Sequence, residues 1–309
     1  MSVETFTLPS FAKINWQLRV LGRRLDGFHE LRTIFQTITF HDQLTFNARD
    51  DEQLQLTSDS PEIPVDESNL ILRAAHALQD RFNVRCGASI HLEKNIPVEA
   101  GLGGGSSNAA IALLGLAHLW KIETNKEELV KVGARLGADV PFFFTGGTAL
   151  GTGLGTDVKP INELTTEHLL IVKPEAKVST AEAYKSLNAR ALTKEDSDTI
   201  LSISRADEKF EGSHPYALHN DFEPVIFKMK PEIGRARSAL MEAGASGALL
   251  SGSGSSVFGL FDNREGQEQA LESLKKESAW RIIKCATLSR SEYLKALGEC
   301  ASLLQNERS

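Results

Sequence analysis

The stretch of this chain best suited to chemistry is Pro97-Val98-Glu99-Ala100-Gly101-Leu102-Gly103-Gly104-Gly105-Ser106-Ser107. It joins a strand-like segment to a helix-like one that carries no charge. A helix N-terminus presents unpaired backbone N–H groups and the positive end of its dipole. Glycines let such a backbone close round an anion without Cβ collisions. Ser106 and Ser107 are expected to cap the helix and to donate to the same anion. Together these features make a phosphate cradle. A glycine turn needed only for close packing is the competing account. A P-loop would end in Gly-Lys-Ser/Thr, and no lysine lies between Lys94 and Lys121. A dinucleotide fingerprint needs a third glycine where Ser106 stands. Gly252-Ser253-Gly254-Ser255 is a second small-residue loop, equally readable as a plain hairpin.

The elements that must hold the cradle follow from periodicity. Ala12, Ile14, Trp16, Leu18 and Val20 alternate with Lys13, Asn15, Gln17 and Arg19, so a strand is predicted with Lys13 and Asn15 on one face. Arg24-Leu25-Asp26-Gly27 reads as a turn. Further strands are expected at 33–40, 43–46 and 53–57, and a helix over 69–82 capped by Ser68. Cys86, Ala88, Ile90 and Leu92 alternate into the cradle. After it, Ala109, Ala110, Leu113, Leu114, Ala117 and Trp120 form a helical stripe. Asn125 and Glu128 suggest a capping-box variant opening a helix to about Leu136. Gly137–Pro141 breaks that helix, Phe142–Phe144 reads as a short buried strand, and 146–155 reads as loop-like or tightly packed. Beyond it come a strand at 169–173, helices at 180–187, 199–206, 220–228 and 232–242, strands at 248–251 and 256–261, a helix at 265–277 and a strand at 281–287. Strands and helices in this order suggest an α+β sandwich, divided near residue 155 into units 1–155 and 156–309.

Totals bound the function. The 309 residues, 41% apolar and 24% charged, suit two ordinary globular domains. The net charge of −7 argues against a general nucleic-acid binder. Cys86, Cys285 and Cys300 are scattered and in no metal-like spacing, as in reduced, cytoplasmic proteins. No signal peptide is visible. The uncharged stretch from Ala100 to Trp120 is too rich in glycine and serine for a membrane span.

Pro97–Ala110 resembles the phosphate-binding motif of the GHMP kinases, shared by galactokinase, homoserine kinase, mevalonate kinase and phosphomevalonate kinase. Further segments resemble the other signatures of one branch of that superfamily: Ala12–Asn15 with Arg23–His29, Gly137–Phe142, and Asn220–Pro224 with Ser251–Gly254. They occur in order along nearly the whole chain. One departure is Phe28, where that branch often has tyrosine; the ring is kept and a hydroxyl is lost.

The resemblance implies a two-domain α+β fold with mainly antiparallel sheets and a cleft between the domains, the first of which binds ATP. It implies transfer of the ATP γ-phosphoryl group to the 2-hydroxyl of a cytidine diphosphate-linked methylerythritol, a step in non-mevalonate isoprenoid synthesis. Asp139 takes the acceptor proton in that scheme, and Lys13 beside it stabilises charge on the transferring group. Phe28 and His29 hold the cytosine ring, Tyr184 lies against the cytidine, and Asn15 meets the sugar-alcohol or phosphate portion. Gly101, Gly103, Gly104, Gly105, Ser106 and Ser107 wrap the ATP phosphates, with Asn69 and Lys94 near the adenosine. Mg²⁺ is implied as the partner of ATP, and no protein ligand for it is legible. On spacing alone, Asp139 is better explained as a helix-ending aspartate and Lys13 as a solvated lysine; only the joint pattern lifts the functional reading above these. A mevalonate or homoserine kinase is the alternative, against which Gly27-Phe28-His29 counts. A non-catalytic homologue would be expected to lack Lys13 or Asp139. The oligomeric state is not legible.

Overall fold

The computed structural model describes residues 5–187, 189, 191–192 and 218–305. Two long strands dominate: β1 (Thr5–Arg23) and β2 (His29–Arg49), an antiparallel pair closed by the Arg24–Gly27 turn. In that turn the Gly27 amide donates to Arg24 O (3.1 Å) and the Arg24 amide to Phe28 O (2.7 Å). The sequence suggested a break in β2 at His41-Asp42; instead the strand runs through, because Asp42 turns its carboxylate inward and accepts from the amides of Asn95 (2.7 Å) and Ile96 (2.6 Å). β3 (Leu54–Ser58), β4 (Gly87–Glu93), β5 (Thr148–Gly153) and β6 (Asp157–Pro160) complete this sheet with a two-residue strand near Asn220. The second sheet is wholly antiparallel. It contains β7 (Leu169–Pro174), β9 (Gly247–Leu250), β10 (Val257–Leu260) and β11 (Trp280–Cys285) in the order β11-β7-β10-β9; the short strand of the first sheet, β8, is His219–Asn220.

Alternation along the strands builds the layers. Ala12, Ile14 and Trp16 of β1 pack with Leu169 and Ile171 of β7 between the sheets. Lys13 and Asn15 therefore face the other way, as the period-two reading requires. Leu170 and Val172 turn outward onto helices α4 (Thr180–Ser186), α5 (Glu223–Met229), α6 (Pro231–Glu242) and α7 (Arg264–Leu274). On the far side of the first sheet lie α1 (Leu70–Phe82), α2 (Gly104–Leu119) and α3 (Lys126–Ala134). The protein is thus a mixed α+β stack: helices, sheet, sheet, helices. α2 is buried on all sides, which is what an uncharged helix demands.

Several boundaries differ from the sequence reading. Asn69, not Ser68, caps α1, its side chain accepting from the Ile71 amide at 2.9 Å. Ser106 and Ser107 lie inside α2, whose N-cap is Gly103 with a left-handed φ of 70° and no side-chain cap bond. Asn125 caps α3, but the Glu128 carboxylate binds Arg81 and Lys131 instead of closing a box. Val140–Phe144 is a 3-10 turn, because Pro141 presets a helical φ; its three phenylalanines are buried as a strand's would be. The 146–155 stretch holds a true strand, β5, paired to β2. Asn220 pairs with Leu18 before α5 begins at Glu223. The predicted 199–206 helix lies outside the described residues. α8 (Arg290–Ala296) and a 3-10 turn (Gly298–Leu304) were not predicted; they return to the first sheet's core, where Tyr293, Leu297 and Cys300 are buried.

Candidate active site

The cradle is the N-terminus of α2, and both sheets hold it. Gly101 has φ 77°, and a Cβ there would come within 2.0 Å of Ser251 O. From the second sheet, Ser251 Oγ donates to Gly101 O (3.0 Å), the Ser256 amide to Ala100 O (3.0 Å) and Ser255 Oγ to Glu99 O (3.2 Å). The Ser251–Gly254 loop is fixed in turn by Asn220, whose Nδ2 donates to Leu250 O and Gly252 O at 2.8 Å each, while the Glu223 carboxylate accepts from the Leu250 amide at 3.0 Å. The motif Asn220-Asp-Phe-Glu-Pro224 is thus a brace for the loop that braces the cradle. No side chain caps α2, the arrangement in which a helix's first amides could receive an anion.

β1 is irregular beside this point. Its register with β2 shifts between Phe11 and Lys13, and the Lys13 amide donates to Leu102 O at 2.9 Å. Such bulges re-aim side chains near active sites. Lys13 Nζ, almost fully buried, lies 3.3 Å from Asp139 Oδ2, donates to Asn15 Oδ1 at 2.7 Å and sits 5.7 Å from the centre of the Phe35 ring. Asp139 opens the Val140–Phe144 turn, and its side chain is 33% exposed. It is the more accessible member of the pair.

Eleven of the residues singled out from sequence line one cleft of about 650 Å³: Lys13, Asn15, Asn69, Lys94, Gly101, Gly103, Gly104, Gly105, Ser106, Asp139 and Tyr184. Ser107 does not; it is buried, and its hydroxyl accepts from Ser10. Phe28 stands 61% exposed at the β1–β2 turn, outside the lining. His29 is also outside it but packs against Tyr184, the rings tilted by 34° with centres 4.9 Å apart. Burial first, then the nearby Arg23 charge, holds His29 below the usual histidine range. Burial and then the charge of Asp139 push the Tyr184 phenol well above its usual value, so it stays protonated. Asn69 spends both ends of its amide on the chain: it caps α1 and donates to Pro64 O at 2.6 Å. Lys94 bonds Asp42 at 2.7 Å and Ile96 O; burial lowers its pKa, against the pull of Asp42. Thr33 and Phe35, two apart on β2, and Gly252 and Ser253 also line the cleft. The alternation that exposed Lys13 and Asn15 would have found Thr33 and Phe35; no local pattern marks Asp42.

A cleft with a helix N-terminus and a lysine–aspartate pair on its wall is the arrangement a small-molecule kinase requires. Two family models agree: GHMP kinases N terminal domain over residues 69–147 and GHMP kinases C terminal over 207–279. The family uses ATP as co-substrate. A homoserine kinase from Cytophaga hutchinsonii shares the fold, with TM-score 0.67 over 94% of this chain and 96% of its own at 17% identity. A crystal structure of 4-(cytidine 5'-diphospho)-2C-methyl-D-erythritol kinase matches with TM-score 0.71 and 32% identity, over 91% of this chain and 99% of its own. The 4-diphosphocytidyl-2-C-methyl-D-erythritol kinases of Syntrophotalea carbinolica and Geobacter metallireducens are 40% and 41% identical, each over 91% of this chain and 98% of the relative. The chain belongs to the 4-diphosphocytidyl-2-C-methyl-D-erythritol kinase family.

Proposed function

We propose that this chain transfers the γ-phosphoryl group of ATP to the 2-hydroxyl of 4-diphosphocytidyl-2-C-methyl-D-erythritol, in the non-mevalonate route to isoprenoids. The observation that carries the mechanism is the Lys13–Asp139 pair, 3.3 Å apart on the wall of the cleft that the glycine turn also lines. Asp139 accepts the proton of the acceptor hydroxyl as its oxygen bonds to the γ-phosphorus. The bond from that phosphorus to the β-bridging oxygen breaks, and ADP leaves with the electron pair. Lys13 offsets the charge that builds on the transferring group. The amides at Gly103–Ser106 receive the phosphates, and the Lys94 ammonium supplies a cation at the same helix end. His29 and Tyr184, which pack together, and the exposed ring of Phe28 are the proposed contacts for the cytosine.

Mg²⁺, when bound with ATP, would supply neutralisation of phosphate charge. Among the described residues no three His, Cys, Asp or Glu side chains gather into a metal cluster. Magnesium bound with ATP would be carried mainly by phosphate oxygens and water, its usual habit. No helix among the described residues is long and apolar enough to cross a membrane. A small soluble metabolite is the proposed partner and the cytoplasm the proposed compartment. We also retain the division into units 1–155 and 156–309 as a proposal.

The test is ADP release with ATP and Mg²⁺ against 4-diphosphocytidyl-2-C-methyl-D-erythritol, mevalonate, homoserine and galactose. Turnover with the cytidine compound alone is expected. Turnover with another acceptor would keep the phosphate site and overturn the substrate. Silence across the panel with ATP still bound would favour a non-catalytic binder.

A further inference from the structure

We infer that Thr33, through Asn15, positions the Lys13 ammonium against Asp139, so that a hydroxyl on β2 sets the geometry of the phosphoryl-transfer pair. The argument is one of hydrogen-bond polarity. The Thr33 hydroxyl has a single proton, and it donates that proton to the backbone carbonyl of Gln17 at 2.7 Å. A carbonyl can only accept, so the proton is committed there. Toward Asn15 the same hydroxyl can therefore act only as an acceptor, and it takes a hydrogen bond from Asn15 Nδ2 at 2.7 Å. That orients the amide with its oxygen toward Lys13, whose ammonium can only donate and does so at 2.7 Å. Both ends of the chain of bonds force the same amide orientation. Lys13, Asn15 and Thr33 are each at most 3% exposed, so water does not compete for these bonds.

The consequence lies at the reacting centre. With one N–H taken by Asn15 and the Phe35 ring beside it, the ammonium is held 3.3 Å from Asp139 Oδ2. Were the Asn15 amide reversed, its NH₂ group would face the ammonium, donor against donor, and Lys13 would be pushed off the pair. Asn15 thus acts on Lys13, with at most its second Nδ2 proton left for the acceptor. Thr33 is a positioning residue and acts through two others.

This inference rests on the kinase reading above, though not on the identity of the acceptor. Thr33→Val keeps the shape of the side chain and removes the hydroxyl; Thr33→Ser keeps the hydroxyl. In steady-state assays on the full chain, Thr33→Val is expected to lower kcat on the order of 10²-fold, the scale of an ångström's misplacement of a catalytic group. KM for ATP and for the acceptor should stay within about twofold of wild type, the pattern of an interaction used only in the transition state. Thr33→Ser should retain most of the turnover. If Thr33→Val does not fold, Thr33→Ala takes its place, with thermal unfolding followed in parallel. The Thr33→Val/Asn15→Ala double variant should cost no more than the worse single, since both lie in one relay. Unchanged kcat in Thr33→Val, a rise in KM in place of a fall in kcat, equal losses in Val and Ser, or additive losses in the double variant would each overturn the relay. If wild type turns over a different acceptor from the panel, the same comparison is made with that acceptor. The substrate reading then fails while the relay is still tested.

Discussion

At the scale of single residues, the lysine–aspartate pair and the histidine carry separable predictions. Asp139→Asn keeps the shape and removes the proposed base, so a folded protein is expected whose turnover has dropped about 10²- to 10⁴-fold, the range for a lost general base. Near wild-type turnover would remove Asp139 from the chemistry. His29→Ala should raise the acceptor KM while leaving the ATP KM nearly unchanged. His29 also sets a pH dependence. Its folded pKa lies below the ordinary 6.5, so the folded protein favours the neutral ring. Any contribution of that ring is fully present above 6.5 and is lost as pH falls through the lowered value. The acceptor KM should thus be flat from pH 8 to about 6.5 and rise at lower pH; a KM that already climbs between pH 8 and 7 would argue for another group. Lys13 and Asp139 were nameable from sequence only through the motif pattern, because neither a lone lysine on a strand nor an aspartate at a helix end signals chemistry. Their separation in the chain hides what the bulge in β1 and the turn before Pro141 bring together.

At the scale of elements, what was legible was periodicity. β1, α1, β4 and α2 were marked by it. What was hidden was decided by tertiary bonds. Asp42 looks like a turn residue and is a strand residue, since its carboxylate is needed by the backbone at 95 and 96. Asn220 looks like a helix start and is extended, since its amide must reach two carbonyls. The triple phenylalanine has strand composition and sits in a 3-10 turn. Ser289-Arg-Ser-Glu292 is a full capping box that announces α8 and was there to be read. The brace yields a prediction. Asn220→Ala strands two buried carbonyls and should destabilise the protein by about 1–3 kcal/mol. It should also raise the ATP KM more than the acceptor KM, because the loop it releases supports the glycine turn. Loss of stability with both KM values unchanged would reduce Asn220 to a packing role.

At the scale of the whole molecule, the chain's last described elements serve its middle. The Tyr293 ring is fully buried in the first sheet's core and its hydroxyl donates to Phe143 O, within the turn that Asp139 opens. Its pKa is raised by burial, so the donor is kept at any physiological pH. Tyr293→Ala should cost about 3–5 kcal/mol, as for other large aromatic truncations, seen as a lower midpoint in denaturant. Tyr293→Phe keeps the ring, and should lose far less stability while still lowering kcat by loosening that turn. Equal stability losses in the two variants would place the whole effect in the hydroxyl. Sequence periodicity could not foresee this return of α8, because a segment's partner across the molecule leaves no mark on its own spacing.

The cradle closed by both sheets has a consequence for inhibition. The donors it offers are main-chain amides, which only a substitution by proline could delete. A side chain at Gly101 would run into Ser251 O at 2.0 Å, and one at Gly254 into Gly101 N at 2.2 Å. A compound that engages these amides would therefore face few tolerable escape mutations, whereas one that leans on the exposed ring of Phe28 would face many.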